Sequence, residues 1–499
     1  MKSLNKELAG HFKMPDGRKV FGLLDIRAKQ SALSLFDDDH FDENPDNYET
    51  ITGELSDGRS VTLINCILIS CSRNFFKKTQ KPKNTATIFP HHVIVGKSKL
   101  PPLDECISSF SFSLPELNQI FDDPNVFTDI MYSESWSPLL KQYHPPAREK
   151  SFGENPLIYV FSGQFDIFEL ETQIGTIKAH RTLKQSMGNL ELKLKAPVIL
   201  TIIPDSKINF SELLRRLHKI TRFLDLILGG EHPLHLLQLK LDEDSHDENF
   251  IYRSYALQKT DKEADNHCFE SLISAHWTES QFTKVLASYL DLDAKRSDSR
   301  IRYNQTFNTS SYTIDRLIAA ANIFDILPSS VIPSKIDLSP ELKDAKKQAR
   351  EIFKPLPMSL ERDSLLNAIG RLGTRTLKQK IRYRINETKI DAYFPSITDV
   401  LDEAVNCRNH FVHGTESKVD YLSNSQVFIF LTNTLEFAFG VSDLIDCGWD
   451  LNKWLHTPQG RNHRFRKYVE NYSIDLVSFH GLCKKEKESG SSAESVGKK

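Results

Sequence analysis

The period of the hydrophobic pattern changes partway along this chain, and that change restricts the fold more than any other feature. Over residues 10–204, apolar and β-branched residues recur in short alternating runs, at 20–23, 48–55, 60–70, 87–95, 107–114, 157–168 and 190–203. Turn-forming clusters separate them, among them Met14-Pro15-Asp16-Gly17 and Ser56-Asp57-Gly58-Arg59. A period of two buries one face of a strand, so this half is expected to be an antiparallel β sandwich or barrel. From about Thr278 the spacing becomes 3.6, over 280–292, 312–327, 340–353, 360–372, 374–385, 396–413, 425–447 and 464–479, which predicts an all-α region. Between them, a helical pattern at 209–229 and strand-like stretches at 234–241 and 250–257 read as a mixed connector.

The expected fold class is therefore an α+β multidomain protein, β-rich first and all-α last. The expected divisions are 1–205 (β-rich), 206–305 (mixed), 306–482 (helical) and 483–499, a Ser-, Lys-, Glu- and Gly-rich tail too polar to offset its ordering entropy. A length of 499 residues suits two or three cores.

Composition narrows the function mainly by exclusion. Lysine plus arginine (64) nearly balances aspartate plus glutamate (66), so any contact with nucleic acid has to come from local patches. The start has no signal-peptide-like apolar run and stretches such as 197–203 are too short to span a bilayer, so a cytoplasmic protein with no membrane partner is expected. The seven cysteines include no C-x-x-C pair. Cys447, His463, His480 and Cys483 have zinc-ligand chemistry, but their spacing fits no closed site well. The acidic stretches 37–43 and 241–249 lack the glycine and closing glutamate of a calcium loop, and Asp291-x-Asp293 lacks the Gly-Ser loop of a nucleotidyltransferase. With no phosphate-binding glycine loop either, no cofactor is expected.

One helix carries a concentration of chemistry. Ser396 with Asp399 suggests its start and Gly414 its end, and Ile397, Val400, Leu401, Ala404 and Val405 form its apolar stripe. Arg408 projects near the middle of that stripe, with Asn409 and His413 one turn apart on its flank. An arginine removed from water needs a carboxylate or a phosphate, so Arg408 is either an internal ion pair or part of a site. The carbonyl end of the helix dipole favours a protonated imidazole at His413, and histidine is the side chain that changes charge near neutral pH. The trio suits RNA cleavage by the substrate's own 2′-hydroxyl. The histidine moves a proton, the arginine holds the scissile phosphate, and the asparagine orients either group. Spacing alone favours a structural role, with Arg408 ion-paired and His413 a capping side chain, and the placement at a capped helix end on the apolar stripe shifts the reading toward a site.

Arg408-Asn409-x-x-x-His413 resembles the R-polar-x(3 to 5)-H signature of HEPN ribonucleases, set here in an expected all-α domain. The whole chain is similar to ApeA-type anti-phage proteins through Gly10-x-Phe12-x-Met14-Pro15, Phe21-Gly22-Leu23-Leu24, Ile51-Thr52-Gly53-Glu54-Leu55 and Gly58-Arg59-Ser60-Val61-Thr62-Leu63. The resemblance implies a metal-independent endoribonuclease leaving a 2′,3′-cyclic phosphate and acting in abortive infection. It also implies an RNA substrate, with tRNA among the candidates, a homodimer through the helical domain, and a phage-derived trigger at the β-rich domain, which senses or restrains. Arg408, Asn409 and His413 become the expected catalytic residues; the part of His410 stays open. The alternative is a catalytically inactive HEPN protein that binds RNA or a nucleotide, with the β half as a protein-interaction module. Two basic clusters are candidate RNA-binding surfaces or solvated helix faces: Arg371, Arg375, Lys378, Lys380, Arg382 and Arg384 around Tyr383, and Arg461, Arg464, Arg466 and Lys467 with His463, Phe465 and Tyr468.

Overall fold

The structure, a computed structural model, describes residues 7–26, 31–41, 48–75, 82–131, 138, 142, 157–188, 191–232, 234, 236–242, 249–253, 271–273, 275–416, 419–421 and 423–496. Parts of both acidic stretches, and the end of the strand expected at 250–257, lie outside them. Two compact units divide the chain. One comprises Met1–His218, His232–Cys268 and Ile273–Phe282, the other Lys219–Glu231, Phe269–Leu272 and Thr283–Lys499. The stretch 206–305 is thus shared between them.

In the first unit, β1 (Glu7–Lys13), β2 (Lys19–Asp25), β3 (Ala32–Asp37), β4 (Thr50–Leu55), β5 (Ser60–Phe75) and β6 (Pro82–Gly96) close into a barrel in the order β1-β2-β3-β6-β5-β4, with β4 returning to β1. Alternation sends Phe12, Leu24, Leu33, Leu35, Ile51, Val61, Leu63 and Ile88 inward, all essentially inaccessible. Closure brings β4 tightly against β1, and glycine makes this possible: a Cβ at Gly53 would lie 2.8 Å from both His11 O and Phe12 Cδ1. The Gly10-x-Phe12 and Ile51-Thr52-Gly53 motifs are therefore a packing contact between paired strands.

Beyond the barrel come β7 (Ser109–Ser113), the short helix α1 (Leu117–Ile120), β8 (Phe127–Met131), β9 (Leu157–Phe161), β10 (Asp166–Thr172), β11 (Gly175–Arg181), β12 (Lys184–Met187), β13 (Leu192–Lys195) and β14 (Val198–Ile203). Helix α2 (Phe210–Leu228) follows, then β15 (Leu236–Lys240) and β16 (Asn249–Arg253). The later half of β6 also pairs with β16, and the sheet continues β15-β7-β14-β11-β10. Both barrel and sheet are antiparallel, as the period of two predicts.

The second unit is helical: α3 (Ala275–Phe307), α4 (Ile314–Asn322), α5 (Pro340–Phe353), α6 (Leu360–Arg371), α7 (Leu377–Thr388), α8 (Ile397–His413), α9 (Ser425–Asp446), α10 (Leu451–Leu455) and α11 (Arg464–Val496). At its centre is α9, against which α4, α7, α8 and α11 pack. By length and composition α9 could cross a bilayer, but 83% of its most apolar window is buried inside this unit, as suits a core helix. Charge is buried beside it. Asp443 accepts from Arg296 at 2.7 Å and from Arg300 Nε at 2.8 Å, and Asp293 faces Arg222 and Arg300. Asp293, half of the Asp291-x-Asp293 pair, is thus an internal counter-ion.

Two expectations need correction. The tail from 483, expected to be disordered, continues α11 to Val496, because extending a helix fixes one residue per hydrogen bond and avoids the nucleation cost. Ser396 does not cap α8 with its side chain; it takes a left-handed conformation, φ 60°, which turns the chain into the helix directly.

Candidate active site

Helix α8 packs through Ile397, Val400, Leu401, Ala404, Val405 and Cys407, all buried, and lies against α4, α7 and α9. Gly414 ends it in the left-handed conformation, its N–H donating to His410 O. Arg408 continues the apolar stripe one turn beyond Ala404, where the core gives out, so it is half-buried rather than interior. Cys407, next to it, is no nucleophile: burial pushes its thiol up to about 12, with Glu403 adding to the shift.

The three expected catalytic residues come together. Arg408 Nη1 donates to Asn409 Oδ1 at 3.0 Å and to His413 Nε2 at 2.9 Å, and Nε donates to Asn322 Oδ1 at 3.2 Å. Guanidinium has no acceptor, so His413 Nε2 carries a lone pair in this arrangement, the form required of a base. No carboxylate among the described residues pairs with Arg408, which separates it from the internal arginines. His410 is engaged elsewhere: Nδ1 donates to Thr415 O at 2.8 Å, and the ring packs near Phe411 and Tyr421, fixing the turn after the helix.

Asp402, Asn406, Asn409 and His413 share one face of α8 by their spacing. Lys378 Nζ from α7 donates to Asn406 Oδ1 at 2.6 Å, and Arg382 pairs with Asp402 while staying more than half exposed. These two expected RNA-binding residues therefore border the face that leads to Asn409 and His413. Arg371 is exposed at the end of α6, and Arg375 lies over Tyr383 and donates to Pro333 O. Arg461 is exposed.

Arg384 and Arg466 are corrected. Arg384 is buried, donating to Asp446 at 2.6 Å and Ser442 O at 2.7 Å. Arg466 is buried over Trp454, donating to Trp454 O, Thr457 O and Gln459 O. Arg464 is half-buried over Phe307 and donates to Phe307 O and Thr309 O, so its cation serves packing. Alternation of basic and apolar residues marked a helix half in the core, and some of the basic positions fell on the inner half.

The zinc-ligand types do not assemble. His463 Nδ1 accepts from Phe465 N and Nε2 donates to Leu226 O, so both ring nitrogens are occupied, and burial pushes the Cys447 thiol up to about 12. Among the described residues no group of three metal-ligating side chains occurs. Sequence reading missed Asn322, 86 positions from Arg408. An asparagine closing a helix is too common a pattern to single out.

The family model described as ApeA N-terminal domain 1 matches residues 7–289, more than half of the chain, and that described as Apea-like HEPN matches 318–453. The second match contains α8 whole, as well as Asn322 and the α7 residues beside it. No curated protein and no solved structure matches. The strand-rich first unit, the helical second unit and these two matches agree: the chain belongs to the ApeA-like HEPN family of anti-phage proteins.

Proposed function

We propose that the protein is a metal-independent endoribonuclease that halts growth during phage infection. The observation that supports this best is the convergence of Arg408, Asn409 and His413 at 2.9–3.0 Å, with the guanidinium uncompensated by any carboxylate among the described residues. The positive charge then remains available for a scissile phosphate. On RNA binding the phosphate oxygens take over the Arg408 donors and free the His413 imidazole for proton transfer. The 2′-oxygen attacks phosphorus, its proton passes to a histidine, the bond to the 5′-oxygen breaks, and that oxygen takes up a proton. The products are a 2′,3′-cyclic phosphate and a 5′-hydroxyl. One base and one acid are required, and each chain offers one His413, so two α8 helices facing each other in a homodimer supply the pair. Lys378 and Arg382 extend the RNA path along α7, with Arg371, Arg375 and Arg461 as outlying phosphate contacts. The substrate is structured RNA such as tRNA, cut in the cytosol, and the first unit holds cleavage to a measurable basal rate until a phage-derived trigger binds it and raises that rate.

The test is cleavage of a structured RNA in excess EDTA, with end analysis for the cyclic phosphate. His413→Ala is expected to abolish cleavage while keeping the fold; equal cleavage by this variant refutes the assignment. Mapping RNA ends in cells after induction of wild type and His413→Ala identifies the substrate.

A further inference from the structure

Asn322 is the one side chain outside α8 that hydrogen-bonds Arg408 among the described residues, its Oδ1 accepting from Nε at 3.2 Å. We propose that Asn322 is a positioning residue whose neutrality matters: it fixes the plane of the guanidinium while leaving the whole positive charge to the RNA phosphate. The inference rests on the ribonuclease reading above.

Its support is rigid. Asn322 is the last residue of α4, whose Thr313 side chain caps the first turn by accepting from Arg316 N. Arg316 in turn makes a two-pronged pair with Glu436 of α9, both bonds at 2.8 Å and both side chains buried, and Leu317, Ala320 and Ala321 bury the inner face of α4. With α4 held this way, the Asn322 carbonyl is presented at a fixed point, and Arg408 comes to it. Asp325, three positions after Asn322, pairs with Lys380 at 3.0 Å, and on α8 Asp402 pairs with Arg382 and Glu403 accepts from Asn406 and Tyr421 at 2.7 Å. Each hydrogen bond of Arg408 among the described residues is instead to an amide or an imidazole. A carboxylate would hold the same hydrogen bond more strongly, but it would compete with the phosphate for the charge.

Aspartate is therefore the informative substitution, because it preserves shape and acceptor and changes only charge. The full-length protein is compared as wild type, Asn322→Ala and Asn322→Asp. A fully 2′-O-methylated RNA hairpin, which lacks the attacking hydroxyl, gives binding, and the unmodified hairpin gives kcat and KM. Asn322→Ala should lose about 10-fold in kcat/KM, the low end for one hydrogen bond to a charged group. Asn322→Asp should lose about 100-fold, as for deletion of a charge-stabilising donor, with the loss also appearing in binding. The slope of log Kd against log salt should also fall by about 0.7–0.9, one phosphate contact, in Asn322→Asp and remain unchanged in Asn322→Ala. An Asn322→Asp protein that binds and cleaves at least as well as Asn322→Ala overturns the inference, since rescue by aspartate is the mark of a merely structural acceptor. Full cleavage by His413→Ala overturns the ribonuclease reading and leaves the binding comparison to decide Asn322. A wild type that neither binds nor cuts overturns both.

Discussion

Replacing Asp443 with asparagine tests whether the helical unit is held by its buried charges. Asp443 is 2% exposed and accepts three bonds, from Arg296 Nη1 at 2.7 Å, Arg300 Nε at 2.8 Å and Arg300 Nη2 at 3.2 Å. Burial by itself would raise the Asp443 carboxyl, but Arg300 and then Arg296 outweigh it and hold the group below its ordinary range. Asparagine keeps the shape and one acceptor oxygen but leaves two buried guanidinia with less counter-charge. Asp293, 3.5 Å from Arg300, and Asp446, 2.6 Å from Arg296, compensate in part. Removing one partner of a buried pair costs about 3–5 kcal/mol, and the remaining acids place this variant near the lower figure, about 3 kcal/mol. A chain with two units is not expected to unfold in one step, so hydrogen exchange of the α9 amides is the suitable assay. At about 1.4 kcal/mol per decade, the most protected α9 amides should exchange roughly 100-fold faster at neutral pH. Because the folded-state group titrates below its unfolded value of about 3.9, its contribution is present above that pH and lost as pH falls through the lower folded value. The gap between wild type and variant should therefore narrow in acid. Acceleration of less than tenfold at neutral pH, or a gap that is unchanged in strong acid, would refute the reasoning.

Gly440 lies in α9 where an added Cβ would sit 2.5 Å from Tyr303 Oη and 2.6 Å from Phe465 Cζ, both on buried rings. Gly440→Ala should lower stability by about 1–3 kcal/mol despite the better helix propensity of alanine, and thermal unfolding checks this. Among the basic residues, Arg384→Ala should destabilise the fold strongly, since it strips a buried partner from Asp446, whereas Arg371→Ala should leave unfolding within about 0.5 kcal/mol of wild type. RNA binding measured across a salt series should separate them further, only the exposed arginine being able to reduce the salt slope without changing stability.

Much of the architecture was legible because it follows from periodicity. The helix expected at 340–353 is observed as Pro340–Phe353, and that at 396–413 as Ile397–His413, each with an apolar or capping pattern contained within its own residues. Strand β11 escaped notice although its residues alternate between buried and half-buried, because the outward positions include Lys178 and His180 and the run is only seven residues long. The expected helix at 280–292 proved to be part of the longer Ala275–Phe307, whose buried Asp293, Arg296 and Arg300 interrupt the apolar stripe. A sequence pattern registers these as surface positions, whereas mutual pairing admits them to the core.

The same division holds for the site. Sequence alone determined that Arg408, Asn409 and His413 share one end of one helix, since three positions within two turns can separate little in space. The barrel glycines, by contrast, took their meaning only from the pairing of β1 with β4 in the folded chain. Only the tertiary structure decided which cations are spent inside: Arg384 is compensated by Asp446, 62 positions away, and Arg466 is buried over Trp454 with its donors on nearby carbonyls, whereas Arg408 is met by an amide from α4 and keeps its charge. Local spacing fixes which way a side chain leaves its own helix, but its counter-charge is supplied by whichever helix packs against it.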